Sequence, residues 1–503
     1  MIQHCPVLIV LLPLTAALLC LLFSKFNKNL GSWLVIGSIA GSLACSLQVL
    51  HQTLTSGEAI HYWMGNWEPP LGIEFVIDPL SAVMAVLITF ISLMVAVYSK
   101  PFMRKEDWLH IGGYYTLYGL LTVGLCGMVI TGDMFNLYVY LEVMSLSGYG
   151  LIAMGGKKSM LAAFRYMLIG TIGASLYLIS VAYLYAMTGT LNMADLGERI
   201  MPYLSSPPFA LAVACLFIGF GIKMALFPLH GWQPDAYNFA HPGSAAFIAG
   251  VMSKVPAYAI IRFFFYIFGV NNPIISTALT VLGILGIGGV LIGSIMALAQ
   301  YDFRRMLAYS SVAQIGYIAI GLAIGNMYGF IGAVLHIINH AFMKSALFLV
   351  IGGIQYRFGE INLYRLGGLN KKMTLSTITV ILAALSMVGI PPTAGFFSKW
   401  YLMLGKWYLM LGAYQGGQYF YIVILVISSL LNAVYFFRIL EQMFVQHEAS
   451  LTEINRHEGK LGLPPEMAIP ILCAGIGILV LGFYSVDIVD DILKSGLPEV
   501  FLR

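Results

Sequence analysis

The sequence is a succession of continuous apolar windows, each about as long as a lipid bilayer is thick. A transmembrane helix needs about 20 predominantly apolar residues, and these windows end at glycine, proline, asparagine or charged residues. Because the apolar runs do not alternate with polar residues, a β-barrel is excluded. The chain is 59% apolar and 10% charged, whereas soluble domains are about 45–50% apolar and about 25% charged. A secreted disulfide scaffold, a nucleic-acid-binding domain and a disordered tail are therefore excluded as well.

We predict an all-α polytopic membrane protein with about fourteen spans. The longest hydrophilic segment, 443–465, is too short for an independent soluble domain. The predicted spans are centred on 6–24, 31–50, 73–98, 112–131, 134–155, 164–187, 208–230, 244–268, 273–299, 306–325, 328–354, 374–404, 418–442 and 466–487.

Lysine and arginine are concentrated in alternate loops. The opposite set of loops carries few basic residues, among them Arg199 and Lys406. Basic loops mark the cytoplasmic side of a membrane protein, so we expect a multi-pass cell-membrane protein with both termini on the non-cytoplasmic side. The basic loop residues are Lys25, Lys28, Lys100, Arg104, Lys105, Lys157, Lys158, Arg304, Arg305, Arg357, Arg365, Lys371, Lys372, Arg438, Arg456 and Lys460.

A weak internal repeat relates spans that lie five apart. Span 5 begins at Asp133 and contains Ser-Gly-Tyr-Gly at 147–150, while span 10 begins at Asp302 and contains Ile-Gly-Tyr-Ile at 315–318. An odd offset places the two copies in opposite orientations, which is typical of transporters. We therefore predict inverted five-helix repeats, spans 4–8 and 9–13. The corresponding domains are 1–110 (helices 1–3), 111–270 (first repeat), 271–445 (second repeat) and 446–503 (loop and helix 14).

Proline interrupts one span in each half of the chain. Pro228 follows Lys223 in span 7, and Pro391 and Pro392 precede Lys399 in span 12. We predict a helix break at each site. Broken helices of this kind surround the transport pathway in secondary transporters.

Several ionisable residues lie inside the predicted spans, where each costs about 2.5–3.5 kcal/mol on the insertion scale. Structural ion pairs are one explanation. However, one mid-span carboxylate cannot neutralise four lysines, and burial disfavours the charged form of an amine. We therefore favour a proton relay over purely structural pairing. The residues are Glu142, Lys223, Lys254, His336, His340, Lys344 and Lys399.

Polar residues near this row have two possible roles. His336, His340 and Lys344 are spaced i, i+4, i+8 and share one helical face, as either a proton-transfer stack or an ordinary polar stripe. His230 and Asp235, between spans 7 and 8, line an aqueous access route or order the loop and cap helix ends. Glu74 and Asp78 are interpreted as interfacial carboxylates.

Neither a metal nor a cofactor is expected. The six cysteines lie in apolar runs and form no Cys-x-x-Cys pair, so buried small side chains are the preferred interpretation. The sequence contains no Walker loop and no dinucleotide fingerprint. We expect a transporter subunit with no redox or nucleotide site of its own, driven by partner membrane subunits or by an opposing ion gradient.

Five ordered motifs resemble those of the antiporter-like subunits shared by respiratory complex I and Mrp-type multisubunit cation/proton antiporters. Within this family, the amino-acid sequence is most similar to that of the D-type Mrp subunit and its counterparts in membrane-bound hydrogenases. The motifs are Thr-Gly-Asp-Met-Phe-Asn-Leu-Tyr-Val-Tyr-Leu-Glu-Val-Met at 131–144, Phe-Pro-Leu-His-Gly-Trp-Gln-Pro-Asp-Ala at 227–236, Ala-Gly-Val-Met-Ser-Lys at 249–254, Asp-Phe-Arg-Arg-Met-Leu-Ala-Tyr-Ser-Ser at 302–311 and Gly-Ile-Pro-Pro-Thr-Ala-Gly-Phe-Phe-Ser-Lys at 389–399.

The resemblance implies a fourteen-helix fold and a role for each residue of the row. It implies that Glu142 pairs with Lys223, and that protons pass through Lys254 and His336, with His340 and Lys344 nearby, to Lys399. Two departures bear on this. Tyr237 stands where many relatives have histidine, which weakens a proton-access role near Asp235, and Pro256 is expected to bend span 8.

The function predicted from the sequence is a proton-translocating subunit of a multisubunit Na⁺/proton antiporter. An alternative is a proton-pumping subunit of a redox-driven complex, either a quinone oxidoreductase of the complex I type or a membrane-bound hydrogenase. Two further classes are a self-sufficient solute carrier and a structural membrane scaffold. Expected partners are other membrane subunits, the bilayer, protons and, in the antiporter, Na⁺, with no nucleic acid.

Overall fold

The computed structural model of the chain describes residues 2–359, 362–402, 419–445, 462–498 and 501. Lys406, Arg456, Lys460 and most of the hydrophilic segment 443–465 lie outside the described residues. The described chain is almost entirely helical, with one short β-hairpin.

The elements follow one another along the chain with short connections. The first group is α1 (Cys5–Phe26), α2 (Lys28–Ser56), β1 (Ile60–Trp63), β2 (Glu74–Ile77), α3 (Pro79–Met103), α4 (Trp108–Ile130), α5 (Met134–Ala153), α6 (Lys157–Thr188), α7 (Met193–Arg199), α8 (Pro207–Met224) and α9 (Gln233–Phe239). The second group is α10 (Pro242–Phe247), α11 (Lys254–Ile261), α12 (Pro273–Leu298), α13 (Phe303–Ala323), α14 (Met327–Phe358), α15 (Leu369–Lys372), α16 (Thr374–Val388), α17 (described over 394–402), α18 (Tyr419–Phe444), α19 (Pro465–Phe483) and α20 (Ser485–Asp487). Two π-helical turns, Ile248–Met252 and Arg262–Ile267, lie on either side of α11.

Twelve helical runs in the described residues are long and apolar enough to cross a membrane. The all-α multi-pass fold is confirmed, but the count of fourteen spans is not. The predicted spans 5 and 12 do not meet the same criteria of helix length and apolar composition. α5 contains Asn136, Glu142 and several tyrosines, and α16 has only 15 residues before its break.

The middle of the polar row, Lys254 and the α14 residues, lies in the most deeply buried helices. In the most apolar window of each helical run, the share of residues buried inside the protein is 100% for Pro242–Ile267 and 94% for α14. The same share is only 39% for α1 and 33% for α2. The outer helices therefore present much of their surface outward, while α10, α11 and α14 form the interior.

Both predicted helix breaks are present. α8 ends at Met224, the next residue, Ala225, has a left-handed φ of 62°, and helical structure resumes at Gln233. α16 ends at Val388, Gly389 has a φ of 92°, and the chain is helical again from 394. Pro228, Pro391 and Pro392 lie in these two turns, where no helical N–H is needed.

Contacts between loops separate them into two sets, one at each end of the bundle. At one end Gly132 donates its N–H to the carbonyl of Glu74, and Asn272 donates to the carbonyl of Leu204. At the other end Lys28 donates to the carbonyl of Glu106. The second set contains the basic loops, so we call it the basic end. The contact between Lys28 and Glu106 supports the prediction that the basic loops share one side.

Equivalent contacts occur at opposite ends of the two halves. Asp133 accepts from the N–H of Asn136 and forms an isolated bridge with Asn192. Asp302 accepts from the N–H of Arg305 and forms an isolated bridge with Asn362 at the basic end. The same local motif thus recurs upside down, which supports the inverted repeat.

Candidate functional site

Most of the ionisable row is completely enclosed. Lys223, Lys254, His336, His340 and Lys344 are 0% exposed and Lys399 is 8% exposed, whereas Glu142 is half-buried. The sequence therefore predicts correctly that these charges lie in the interior. The part that each residue plays in transport stays a prediction.

Lys223 lies in the last turn of α8, next to the first helix break. Its Nζ donates to Ser145 Oγ at 2.6 Å and to Tyr149 Oη at 3.2 Å, both on α5. The negative end of a helix dipole favours a cation in this turn. The break therefore places a cationic group against the face of α5 that carries two hydroxyls.

Glu142 lies on α5, one turn before Ser145, whose hydroxyl binds Lys223. Among the described residues, no ion pair joins Glu142 to a lysine or arginine. The neighbours Val139 and Leu146 on the same helix are 42% and 61% exposed. Glu142 thus lies between the buried row and the outer surface of α5.

Lys254 begins α11 directly after the π-helical turn Ile248–Met252. Its Nζ donates to the carbonyl oxygen of Ala249, which lies within this π turn. Pro256, two residues later, has no N–H to offer to the carbonyl of Met252. The expected distortion of span 8 is therefore present as a π turn, a feature often found at functional sites.

The stack on α14 has the predicted common face. The rings of His336 and His340 are stacked, with centroids 6.0 Å apart and planes at 9°. His336 contacts Ser398 Oγ through Nδ1 at 3.0 Å and Gln314 Oε1 through Nε2 at 2.9 Å. Both ring nitrogens of His340 lack a hydrogen-bond partner among the described residues.

Lys344 and Lys399 are also held by uncharged oxygens. Lys344 Nζ donates to the carbonyl of Leu307 at 2.8 Å and to the hydroxyl of Ser310. Lys399 Nζ donates to the carbonyls of Met387 and Val388, the last two residues of α16, at 2.7 and 3.0 Å. The second helix break therefore supplies free carbonyls that bind the Lys399 amine.

Lys399 also lines a cavity of about 250 Å³. The cavity extends to exposed residues of the outer surface, including Trp400 on α17 and Leu430 on α18. Gly389 lies beside the lysine stem, and a Cβ atom there would be 3.1 Å from Lys399 Cδ as well as conformationally strained. Glycine at this position therefore leaves room for the side chain.

The residues proposed for aqueous access lie beside the first break and at the basic end. His230 is half-buried, and its Nδ1 has no partner among the described residues. Asp235 pairs with Arg165 at 3.1 Å and lies 3.8 Å from Arg305. Tyr237 is buried and accepts a hydrogen bond from Gln233. A role in ordering the basic end is thus evident for Asp235.

The sequence analysis missed an ion pair at the other end of α11. Arg262 donates to both carboxylate oxygens of Asp78, and its Nε donates to Tyr258 Oη at 2.7 Å. Burial favours the neutral carboxyl, but the guanidinium of Arg262 holds the pKa of Asp78 below its ordinary value. Arg262 borders a cavity of about 270 Å³.

Glu74 is also held by contacts that the sequence analysis does not predict. It is only 4% exposed, and it accepts hydrogen bonds from Asn192 Nδ2 at 2.6 Å and contacts His61 Nδ1 at 3.0 Å. Such contacts join residues that are far apart in the sequence, since Arg262 and Asp78 are 184 positions apart. No local sequence pattern therefore reveals them.

The buried lysines are held by uncharged acceptors. All four buried lysines contact carbonyl or hydroxyl oxygens, and no ion pair among the described residues joins any of them to a carboxylate. In the part of the chain that the structure describes, no group of three or more His, Cys, Asp or Glu side chains is placed to hold a metal ion.

Comparison with known proteins identifies the family. Residues 131–432 match the family model described as NADH:quinone oxidoreductase/Mrp antiporter, TM, and residues 63–110 match the model described as NADH-ubiquinone oxidoreductase (complex I), chain 5 N-terminus. The first match covers more than half of the chain and includes the whole ionisable row.

Relatives and a solved structure cover nearly the full length. The chain is 44% identical to the N-type subunit of NADH-quinone oxidoreductase from Desulforudis audaxviator, over 99% of both chains. It is 31% identical to the D-type subunit of the Na⁺/H⁺ antiporter from Alkalihalophilus pseudofirmus, over 99% of this chain and 98% of the relative. A chain of the archaeal membrane-bound sulfane sulfur reductase superposes with a TM-score of 0.89 at 27% identity, over 99% of this chain and 98% of that chain. The protein therefore belongs to the NADH:quinone oxidoreductase/Mrp antiporter membrane-subunit family.

Proposed function

We propose that this chain is the proton-translocating subunit of a multisubunit membrane complex. The observation that carries the proposal is a row of four buried lysines, each held by uncharged oxygens. A lysine held in this way can release its proton without leaving a carboxylate unpaired. The relay residues are Glu142, Lys223, Lys254, His336 and Lys399, supported by His340, Lys344, His230 and Asp235.

Neighbouring contacts support an order along the row. The π-helical turn that precedes Lys254 packs against α14, which carries His336 and His340. His336 contacts Ser398, the residue directly before Lys399. His336 therefore contacts α17, the helix that carries the last lysine. α8 and α11 pack against each other, so Lys223 and Lys254 lie on adjacent helices.

The positions of His230 and Asp235 support a proposal for the end of the molecule at which protons enter. His230 lies beside the first break, and Asp235 lies at the basic end. If the basic end faces the cytoplasm, as the distribution of lysine and arginine suggests, protons enter the first half from the cytoplasm. Both termini then lie on the non-cytoplasmic side of the cell membrane.

The relay is tested by neutral substitutions that keep side-chain volume. We expect Lys223→Met and Glu142→Gln each to abolish proton movement into inverted membrane vesicles, measured with a pH-sensitive dye, because each removes a proton-binding group. Native gel electrophoresis should show the complex still assembled. Lys157→Met, on an exposed lysine of α6, is the matched control. Full activity in both relay variants would contradict the proposal.

The host complex has two candidates. The sequence motifs support a cation/proton antiporter, in which this chain moves protons against Na⁺, and a relative named as a Na⁺/H⁺ antiporter subunit of the D type is 31% identical over 99% of the chain. The 44% identity with a relative named as the N-type subunit of NADH-quinone oxidoreductase favours a redox-driven pump.

Purification of the complex from its native membrane separates these two candidates. Co-purifying flavin or iron–sulfur subunits, with proton movement driven by an electron donor, would identify a redox pump. Proton movement that depends on a Na⁺ gradient, without redox subunits, would identify the antiporter.

A further inference from the structure

A basic cavity at the basic end of α1–α4 is separate from the proton row. It has a volume of about 340 Å³, within the range of about 300–1,000 Å³ that is usual for small-molecule sites. Its polar lining includes Lys28, Asn29 and Ser32 from the first turns of α2, and Lys100 and Arg104 from the end of α3. Among the described residues, three cationic side chains and no carboxylate line it.

The positions of these cations are fixed by contacts that leave their charge facing the cavity. Lys100 Nζ lies 3.3 Å above the centroid of the Trp33 ring. Lys28 Nζ donates to the backbone carbonyl of Glu106 at 3.2 Å. Arg104 pairs with Glu466, which neutralises one of the three charges. Among the described residues, Lys28 and Lys100 make no ion pair, so two positive charges remain at the cavity.

The first turn of a long helix adds to this field. α2 has 29 residues and begins at Lys28, so its positive dipole end lies at the cavity wall, with the N–H of Asn29 capped by the Asn27 side chain. Lysine and helix N-termini together favour a phosphate group as the ligand.

The surroundings indicate how the rest of the ligand lies. Trp33 is 54% exposed beside the cavity, and Trp108, at the start of α4, is 38% exposed. Exposed tryptophans mark the level of the membrane–water interface. Leu30 and Leu109 are 45% and 56% exposed nearby in the chain, giving apolar surface for acyl chains next to the basic pocket.

We propose that this cavity binds the phosphate-bearing head group of an anionic phospholipid. The phosphate lies between Lys28 and Lys100 at the start of α2, and the acyl chains follow the outer surface of α2 past Trp33. Basic pockets between transmembrane helices on the cytoplasmic side are suited to such head groups. The site is independent of the proposed proton route.

Native mass spectrometry of the delipidated full-length protein, titrated with phosphatidylglycerol or phosphatidylcholine, tests the site. We expect tight retention of one phosphatidylglycerol, and binding on the order of 30-fold weaker in Lys28→Gln/Lys100→Gln. Lys157→Gln/Lys158→Gln, which removes two exposed lysines of α6, should bind as the unaltered chain does. Equal binding of phosphatidylcholine, or equal loss in both double variants, would overturn the proposal.

Two further arms distinguish the source of the phosphate and avoid reliance on one variant. Inorganic phosphate that displaces the lipid at matched concentration would assign the cavity to a free phosphate and overturn the lipid site. Bromine-labelled phosphatidylglycerol should quench Trp33 fluorescence, seen as the difference between the unaltered chain and Trp33→Phe, and bromine-labelled phosphatidylcholine should quench it much less. Equal quenching by the two lipids would also overturn the proposal.

Discussion

At the scale of single residues, the four buried lysines share one kind of environment. Lys254 binds a carbonyl oxygen of a π-helical turn, and Lys399 binds carbonyl oxygens at the end of a broken helix. Lys223 and Lys344 bind serine hydroxyls, and Lys223 also binds Tyr149. Dipolar partners stabilise the ammonium form without requiring it, so an amine that gives up its proton leaves no unpaired charge behind.

This environment leads to a prediction for Lys399→Arg. Arginine keeps the positive charge and can still donate to the carbonyls of Met387 and Val388, but it does not release its proton in a protein. We expect proton movement to fall by about 10²-fold or more, measured as the initial rate in inverted vesicles. Lys157→Arg should leave the rate unchanged. A near-normal rate in Lys399→Arg would show that Lys399 does not cycle its proton.

The sequence predicts which residues are buried better than it predicts their partners. Lys223, Lys254 and His336 stand in apolar runs, so their burial follows from the hydropathy pattern. The carbonyl of Ala249 and the carbonyls at the end of α16 have no such signature, because every residue has a carbonyl and only the local backbone decides which one a lysine can reach. For the same reason the pattern does not predict the contacts of Lys223 with the hydroxyls of α5.

At the scale of secondary-structure elements, the π-helical turn Ile248–Met252 determines where Lys254 lies. It packs directly on α14: a Cβ atom on Gly250 would be 2.3 Å from Ser345 Oγ and 3.4 Å from Ile91 Cγ2. Ser345 lies next to Lys344 in the sequence, so the spacing of these two elements also sets the spacing of Lys254 and the α14 stack.

Gly250→Ala should therefore separate the π turn from α14. A shift of about 1 Å in a proton-transfer chain can reduce the rate by up to about 100-fold, and we expect slower proton movement in vesicles containing normal amounts of assembled protein. Ser345→Gly in the same chain removes the clashing hydroxyl and should restore much of the rate. Gly113→Ala, where an added Cβ meets nothing within 4 Å, is the control. If Gly250→Ala alone were fully active, the spacing would not matter.

Apolar patterning shows that span 8 exists but not that it contains a π turn. Residues 244–268 are apolar on all faces, so one extra residue per turn leaves no change in periodicity. Pro256 signals a distortion, yet proline alone does not say whether the helix kinks, breaks or widens. The breaks after α8 and α16 are easier to predict, because more than one irregular feature of the sequence coincides with each of them.

At the scale of the whole molecule, the two halves are alike in plan and different in detail. Tyr149 and Tyr317 occupy matching positions of the repeat, and each has a lysine above its ring, Lys223 at 5.6 Å and Lys399 at 5.0 Å from the centroid. Lys223 also donates to the Tyr149 hydroxyl, whereas Lys399 donates to carbonyls instead. A faint sequence repeat predicts the common plan, but these differences depend on where each helix breaks.

The Asp78–Arg262 pair ties together parts of the chain that no local pattern connects. The two side chains are only 19% and 16% exposed, and removing one partner of a buried pair costs about 3–5 kcal/mol because the other charge is left uncompensated. Asp78→Asn tests the loss of the ion pair alone, because asparagine can still cap α3 by accepting the hydrogen bond that Asp78 accepts from the N–H of Ser81. We expect a clearly lower thermal unfolding midpoint for the purified chain, and recovery of most of the loss in Asp78→Asn/Arg262→Gln. Asp107→Asn, which changes an exposed cap of α4 without an ion pair to Arg262, should have little effect.

The contribution of the Asp78–Arg262 pair should also depend on pH. Because the native carboxylate of Asp78 has a lowered pKa, the stabilisation is present above the ordinary pKa of aspartate and is lost as the pH falls through the lowered value. The midpoints of the unaltered and Asp78→Asn chains should therefore converge in acid. Midpoints that are equal at neutral pH would show that the pair contributes nothing to stability.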